Sequence, residues 1–286
     1  MKVEFYEDIN KFIDIVFPFL LKKEAENNLL LMILNSLKEN IHRYGDYKPY
    51  LITVLKNDKM KLVSIRTPPY NQLISYTDDL IAIDFLVEEL IKKNADLPGI
   101  LGFKEGTERF IKLCCDKKGL KYQLARNERG YKLVEVTKET IGNKTFIVGT
   151  ESHQAIILKW AEAMVLEAGL MTEAEQMDRT LNQIKQDIKD QKMFLLLDKN
   201  KPVSMARKAG KTPNGSLINF VYTPPHLRRK GYATECVAKL STLLLYEGNK
   251  FCFLFTDLAN PISNSIYQKI GYGPVIDLDQ YQFLKE

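Results

Sequence analysis

Six consecutive residues, Arg228-Arg229-Lys230-Gly231-Tyr232-Ala233, place three cations beside a glycine and a small residue. Such a turn suits an anion if it opens a helix, because a helix N-terminus presents unpaired N–H groups and a partial positive charge. Gly231 can take a positive φ and lets an anion approach the backbone closely. Ala233 keeps the first turn uncrowded, and Arg228, Arg229 and Lys230 add full charges, the arginines in bidentate geometry. The set fits a pyrophosphate. A solvated loop ahead of an ordinary helix is the plainer alternative, and these six residues alone leave both open.

A second group follows. Asn260, Asn264 and Tyr267 stand at i, i+4 and i+7, on one helix face that carries two amides and a phenol. Asparagine is a poor helix former, so this polar face calls for an explanation. Ile262, Ile266 and Ile270 share a different face, expected to be the buried one. Pro261 suits the first helical position, Asn260 the cap and Gly271 the C-terminal stop.

The elements that would position these groups are legible nearby. Residues 217–223 are apolar and β-favouring and read as a strand, stopped by Pro224 and Pro225, which cannot donate to a ladder. From Ala233 the apolar residues Ala233, Val237, Leu240 and Leu244 recur at helical spacing. The run FCFLFT, residues 251–256, reads as a buried strand.

On these residues the chain resembles the GNAT superfamily of acyl-CoA-dependent N-acetyltransferases. The strand VYTPP, the Arg-x-x-Gly-x-Ala turn (Arg228, Gly231, Ala233) and the helix NPISNSIYQKIGY look like motifs A and B of that family, over roughly residues 145–286. Where the common pattern has a second glycine, this chain has Ala233. The resemblance implies acetyl-CoA as cofactor and a strand that splays from its neighbour so that pantetheine inserts like an extra strand. It implies that Val221, Tyr222 and Thr223 line the pantetheine, with the Val221 N–H facing the thioester oxygen. It further implies that Arg229, Lys230, Gly231, Tyr232, Ala233 and Thr234 wrap the pyrophosphate with Arg228 alongside, and that Asn260 contacts the cofactor. Asn264 faces the same way, with a solvated polar side as the alternative. Tyr267 matches the family's general acid, and a phenol with a pKa of about 10 stays protonated at neutral pH. No general base is legible. Asn219 lies near where some relatives place a carboxylate, but an amide is no useful proton acceptor; Glu151, Asp257 and an ordered water stay open.

The implied activity is acetyl transfer from acetyl-CoA to a primary amine of a small molecule, by direct attack on the thioester. The alternatives are an acyl-CoA-binding sensor without turnover and an enzyme acetylating a protein terminus or lysine. Composition narrows the classes. The 286 residues are 45% hydrophobic and 27% charged, an ordinary globular balance. Net charge is +5 with dispersed cations and no basic tract interleaved with aromatics, which argues against nucleic acid. No apolar run reaches the length of a membrane span, and MKVEFYEDINKF lacks a signal peptide's apolar core, so a cytoplasmic monomer or homodimer is expected. The four cysteines and three histidines have no metal-ligand spacing. Cys252 and Trp160 read as core, and His226 as a loop residue.

The rest of the chain reads as two copies of one pattern: helix, helix, three strands, helix, strand, helix, strand. Helices are expected over 8–17, where Phe12, Ile15, Val16 and Phe19 form a stripe before Pro18 breaks it, and over 23–42. Strands follow over 49–56, 60–67 and 71–77. A helix capped by Asp78 covers 79–93, another lies near 105–117, and separate strands lie at 119–125 and 130–136. Residues 137–145 read as a linker, residues 153–168 as a helix, and Thr172-x-x-Glu175 as a capping box for the next helix. LKNDKMKLVSIR (55–66) parallels LDKNKPVSMAR (197–207), which implies tandem duplication. The expected fold is α/β (α+β): a degenerate GNAT-like domain over 1–138 and a catalytic one over 145–286, each a mixed, mostly antiparallel twisted sheet flanked by helices. SIRTPP and DLPGILGFKEGTERF resemble the degenerate N-terminal half of two-domain bacterial GNAT proteins. Asp78-Asp79 replaces the prolines and basic turn in the first copy, so that copy is not expected to bind coenzyme A.

Overall fold

The structure, a computed structural model, describes residues 1–169 and 174–284. Two compact units emerge: one holds Met1–Gly130, Thr256–Ala259 and the stretch from Val275; the other holds Tyr131–Phe255 and Asn260–Pro274.

The first unit runs β1 (Lys2–Tyr6), α1 (Ile9–Leu20), α2 (Asn28–Glu39), β2 (Tyr50–Lys56), β3 (Lys59–Arg66), β4 (Gln72–Ile74), α3 (Ile81–Lys92), β5 (Gly99–Phe103), α4 (Lys104–Lys118) and most of β6 (Tyr122–Leu133). The second runs β7 (Thr145–Val148), α5 (Gln154–Glu167), α6 (Ala174–Lys189), β8 (Met193–Asp198), β9 (Lys201–Lys211), β10 (Gly215–Tyr222), α7 (Tyr232–Tyr246), most of β11 (Phe251–Asp257) and α8 (Pro261–Ile270). The last strand, β12 (Gly273–Phe283), pairs antiparallel with β5 through residues of the first unit.

Each unit repeats one design. Strands β1-β2-β3-β4-β5 lie side by side in that order, all antiparallel except β4 with β5. Strands β7-β8-β9-β10-β11 do the same, all antiparallel except β10 with β11. Both first hairpins turn on two residues at positive φ, Asn57-Asp58 and Lys199-Asn200, the backbone that a two-residue turn between twisted strands demands. Helices cover both faces of each sheet, so strand residues are apolar on both sides. In the second unit, Met193 and Leu195 pack with Trp160 and Ile184 beneath α5 and α6. Phe194 and Leu196 alternate to the opposite face, with Val237 and Leu240 of α7. In the first unit, Leu51 and Val63 face α1 and α2, while Ile52 and Leu62 face α3.

The mixed, mostly antiparallel α/β class is as expected, with local differences. Pro18 lies inside α1 and does not end it, because a proline in the last turn forfeits one backbone bond while the amphipathic face still packs. That face is Phe12, Ile13, Val16 and Leu20; Ile15 is exposed. Asp78 does not cap α3: the helix follows Leu80 without a side-chain cap, and Thr77 Oγ1 accepts the Asp79 N–H instead. The strand expected over 71–77 contracts to three residues, and the pair at 119–125 and 130–136 is one strand, β6. Strands β1 and β7 were not anticipated; each is a short outer strand set by its antiparallel neighbour, not by its own pattern. The capping box at Thr172 lies outside the described residues. Among the described residues, no helix is long and apolar enough to cross a membrane.

Candidate active site

The second unit brings the end of β10, the start of α7 and helix α8 into play. Strands β10 and β11 pair in parallel at Gly215 with Phe251, Ser216 with Cys252 and Leu217 with Phe253, and there the pairing stops. Yet β10 continues to Tyr222 and β11 to Asp257. On its other edge, β10 keeps to β9 through two irregularities in register, between Ser216 and Ile218 and between Asn219 and Tyr222. Phe220, inside the second, has φ +49°. A bulge of this kind bends and twists a strand, which accounts for the divergence. The facing edges beyond Leu217 and Phe253 therefore offer backbone groups to an extended guest.

The turn that follows is built for an anion. Arg229 (φ +63°) and Gly231 (φ +79°) are both left-handed. Gly231 is the N-cap of α7 and supplies no side-chain cap; the Glu235 N–H bonds back to its carbonyl at 3.0 Å. The N–H groups of Tyr232, Ala233 and Thr234 thus precede the first helical bond, as the first turn of any helix requires. Arg229 and Lys230 are exposed. Arg228 is a strut instead: its Nε donates to the Thr223 carbonyl at 2.9 Å and its Nη2 to Glu167 Oε2 at 2.5 Å. Its guanidinium lies 5.6 Å from the Tyr222 ring centroid.

Other expected contacts are partly spoken for. The Tyr222 hydroxyl donates to Glu167 Oε1 at 2.7 Å and the Tyr232 hydroxyl to Asp198 Oδ2 at 2.6 Å, which leaves their backbones for a ligand. The Thr223 hydroxyl donates to Ser204 Oγ at 2.9 Å, while Val221 is half-buried. Asn260 caps α8, accepting the Ser263 N–H at 3.1 Å, and Gly271 ends that helix at φ +113°. Asn264 Nδ2 donates to the Asn260 carbonyl at 2.7 Å, and its Oδ1 accepts from the Tyr131 hydroxyl at 2.8 Å. The face of α8 expected to be buried is so only in part: Ile270 is buried and Ile266 packs half-buried on the core, but Ile262 is 65% exposed, and Tyr267 from the polar face is buried as well. Ile262 lies in the first turn, and the core reaches only the second half of the helix. Glu167 and Tyr131 were missed because neither belongs to a motif; they meet their partners across 61 and 133 residues of chain.

Tyr267 sits between Tyr131 and Tyr272, at ring-centroid distances of 6.3 and 6.0 Å. Its hydroxyl makes no hydrogen bond to another described residue, and burial lifts the phenol to about 12. An unfolded tyrosine ionises at about pH 10. The folded value is the higher one, so ionisation of this group leaves stability unchanged below about pH 10 and lowers it as pH rises through 12, by about 2–3 kcal/mol in all. Urea unfolding at stepped pH should show a midpoint that falls above about pH 10, and Tyr267→Phe should lessen the fall; identical profiles would contradict the assigned burial.

Asn219 Oδ1 accepts from Arg207 Nε at 3.0 Å, and Arg207 Nη1 reaches Asp187 Oδ2 at 2.8 Å. Asp257 Oδ1 accepts the Ala259 N–H at 2.7 Å, the capping alternative, and Glu151 is an exposed residue of a short 3-10 turn. Cys252 is fully buried and its thiol is pushed up to about 12, as befits core. Trp160 is buried and His226 exposed on a turn.

Residues 196–281 match the model of the FR47-like protein family. Among solved structures, a GNAT-family acetyltransferase from Colwellia psychrerythraea superposes with a TM-score of 0.59 at 12% identity, covering 99% of this chain and 100% of that one. The chain has the GNAT fold. A Drosophila protein superposes with a TM-score of 0.60 (11% identity, 99% and 98% covered), as does a GCN5-related N-acetyltransferase from Sphaerobacter thermophilus (0.59, 11%, 88% and 85%). No curated protein sequence matches the chain.

Proposed function

We propose that the second unit binds acetyl-CoA between β10 and β11 and transfers the acetyl group to a primary amine of a small molecule. The observation that carries this reading is the early end of β10–β11 pairing, in a strand that leads on to an uncapped helix start bent by Gly231. The open strand edges suit the amide-bearing pantetheine, and the N–H groups at the start of α7, with Arg229 and Lys230, suit its pyrophosphate. The bound coenzyme supplies the activated thioester carbonyl. Around it, the Val221 N–H polarises the carbonyl oxygen, in the manner of any fixed donor facing developing charge. Tyr267 holds its proton throughout the neutral range and donates a hydrogen bond toward the leaving sulfur. Arg228, fixed by Glu167 and the Thr223 carbonyl, keeps the end of β10 in register with the turn.

Titration of the full chain with coenzyme A, followed by thiol release from acetyl-CoA with a panel of small amines and peptides, tests the reading. Saturable heat and amine-dependent thiol are expected. Binding without thiol release from any amine would favour a sensor, turnover with peptides alone would favour a protein acetyltransferase, and no binding at millimolar coenzyme would end the proposal.

A further inference from the structure

The first unit contains an open cleft of about 1570 Å³, lined by residues of that unit alone. Its walls come from one end of the β2–β3 ladder (the start of β2 and the end of β3), the segment 68–71, the turn 94–98 and the last residues of β12. Within it lies Arg66, the final residue of β3, only 4% exposed. Its Nε is buried with no hydrogen-bond partner, and the guanidinium has no ion pair among the described residues. Arg66 is the cross-strand neighbour of Tyr50, and the guanidinium lies 4.5 Å from that ring's centroid.

An arginine keeps its charge in any protein environment. Burying a cation is expensive unless a counter-charge and hydrogen-bond acceptors accompany it. A tyrosine face returns only a small part of that. The second unit shows how the same position is normally completed. Arg207 ends the matching repeat segment and pairs with Met193, the first residue of β8, as Arg66 pairs with Tyr50, the first residue of β2. Arg207 also lies over a ring, 4.9 Å from the Phe220 centroid, but it is satisfied by Asp187 at 2.8 Å and Asn219 at 3.0 Å. The first unit keeps the arginine and the aromatic face, but no carboxylate of the described residues comes within ion-pair distance of the guanidinium, and a cleft opens beside it.

We propose that this cleft binds a small molecule bearing an oxyanion, carboxylate or phosphate, gripped by Arg66 with its body against Tyr47, Tyr50 and Tyr70. Tyr47 and Tyr70 are 73% and 57% exposed at the rim, flat amphipathic surfaces of the sort ligand pockets use. Lys48, Lys118, Glu7 and Asp96 also line the cleft, and none of them is buried, so the guanidinium is the one buried charge among the lining residues. The planar fork of arginine matches either oxyanion in bidentate fashion.

The full chain, with excess coenzyme A present, is titrated calorimetrically with benzoate, with inorganic phosphate and with benzylamine. One or both anions should bind, the better of the two identifying the source of the oxyanion, and the amine should not. Arg66→Gln should weaken anion binding by about ten- to a hundredfold. Tyr70→Ala, on the exposed rim where folding is undisturbed, should weaken benzoate severalfold and leave phosphate unchanged. No heat from either anion at about 10 mM, equal binding of benzylamine, or undiminished anion affinity in a folded Arg66→Gln chain would each overturn the proposal. None of these outcomes bears on acetyl transfer, which is read separately by thiol release.

Discussion

Gly231→Val should leave a folded protein whose affinity for coenzyme A has fallen by about ten- to a hundredfold or more. A Cβ added at Gly231 would meet nothing within 4 Å, so crowding is not the difficulty. The difficulty is φ of +79°, which costs an L-residue about 1–2 kcal/mol and a β-branched one more. That is a modest fraction of a domain's stability, and the chain escapes it by relaxing the turn. Relaxation redirects the N–H groups of Tyr232, Ala233 and Thr234 and the side chains of Arg229 and Lys230, the parts assigned to the pyrophosphate. Gly231→Asn is the informative control, because asparagine tolerates left-handed backbone and should keep most of the affinity. Calorimetric titration beside a circular-dichroism melt reads both quantities. Equal coenzyme affinity in the valine variant would remove this turn from the binding site.

Tyr267→Phe should lower kcat by about a hundredfold or more with little change in coenzyme Kd. The substitution keeps the ring packing against Tyr131 and Tyr272 and deletes a hydroxyl that makes no hydrogen bond to another described residue. Stability near neutral pH should therefore stay within about 0.5 kcal/mol, which separates a loss of chemistry from a loss of fold. Because the phenol is held at about 12, the donor stays protonated up to about pH 10, and no alkaline limb of kcat below that belongs to Tyr267. An unchanged kcat in the phenylalanine variant would exclude the acid role.

Much of the candidate site was legible because it rests on rules acting over a few residues. The positive φ of Gly231, the Asn260 cap with Pro261 behind it, the Gly271 stop and the two hairpin turns are decided by local sterics and local hydrogen bonds. The repeated strand and helix pattern followed from apolar spacing for the same reason. Short outer strands resisted that reading: β1 and β7 owe their extended form to a neighbour's ladder, and β6 runs through Gly130 where the sequence suggests a break.

The sequence by itself determined that this chain carries a paired α/β repeat and a glycine-bent basic turn at a helix start in the second copy only. Tertiary structure decided where each charge goes. Arg228 became a strut because Glu167 arrives from 61 residues away, and Arg207 was answered by Asp187 while Arg66, in the matching place, was left open to a cleft. Charge partners are chosen by the packing of elements distant along the chain, and nothing in the spacing of either partner announces the other.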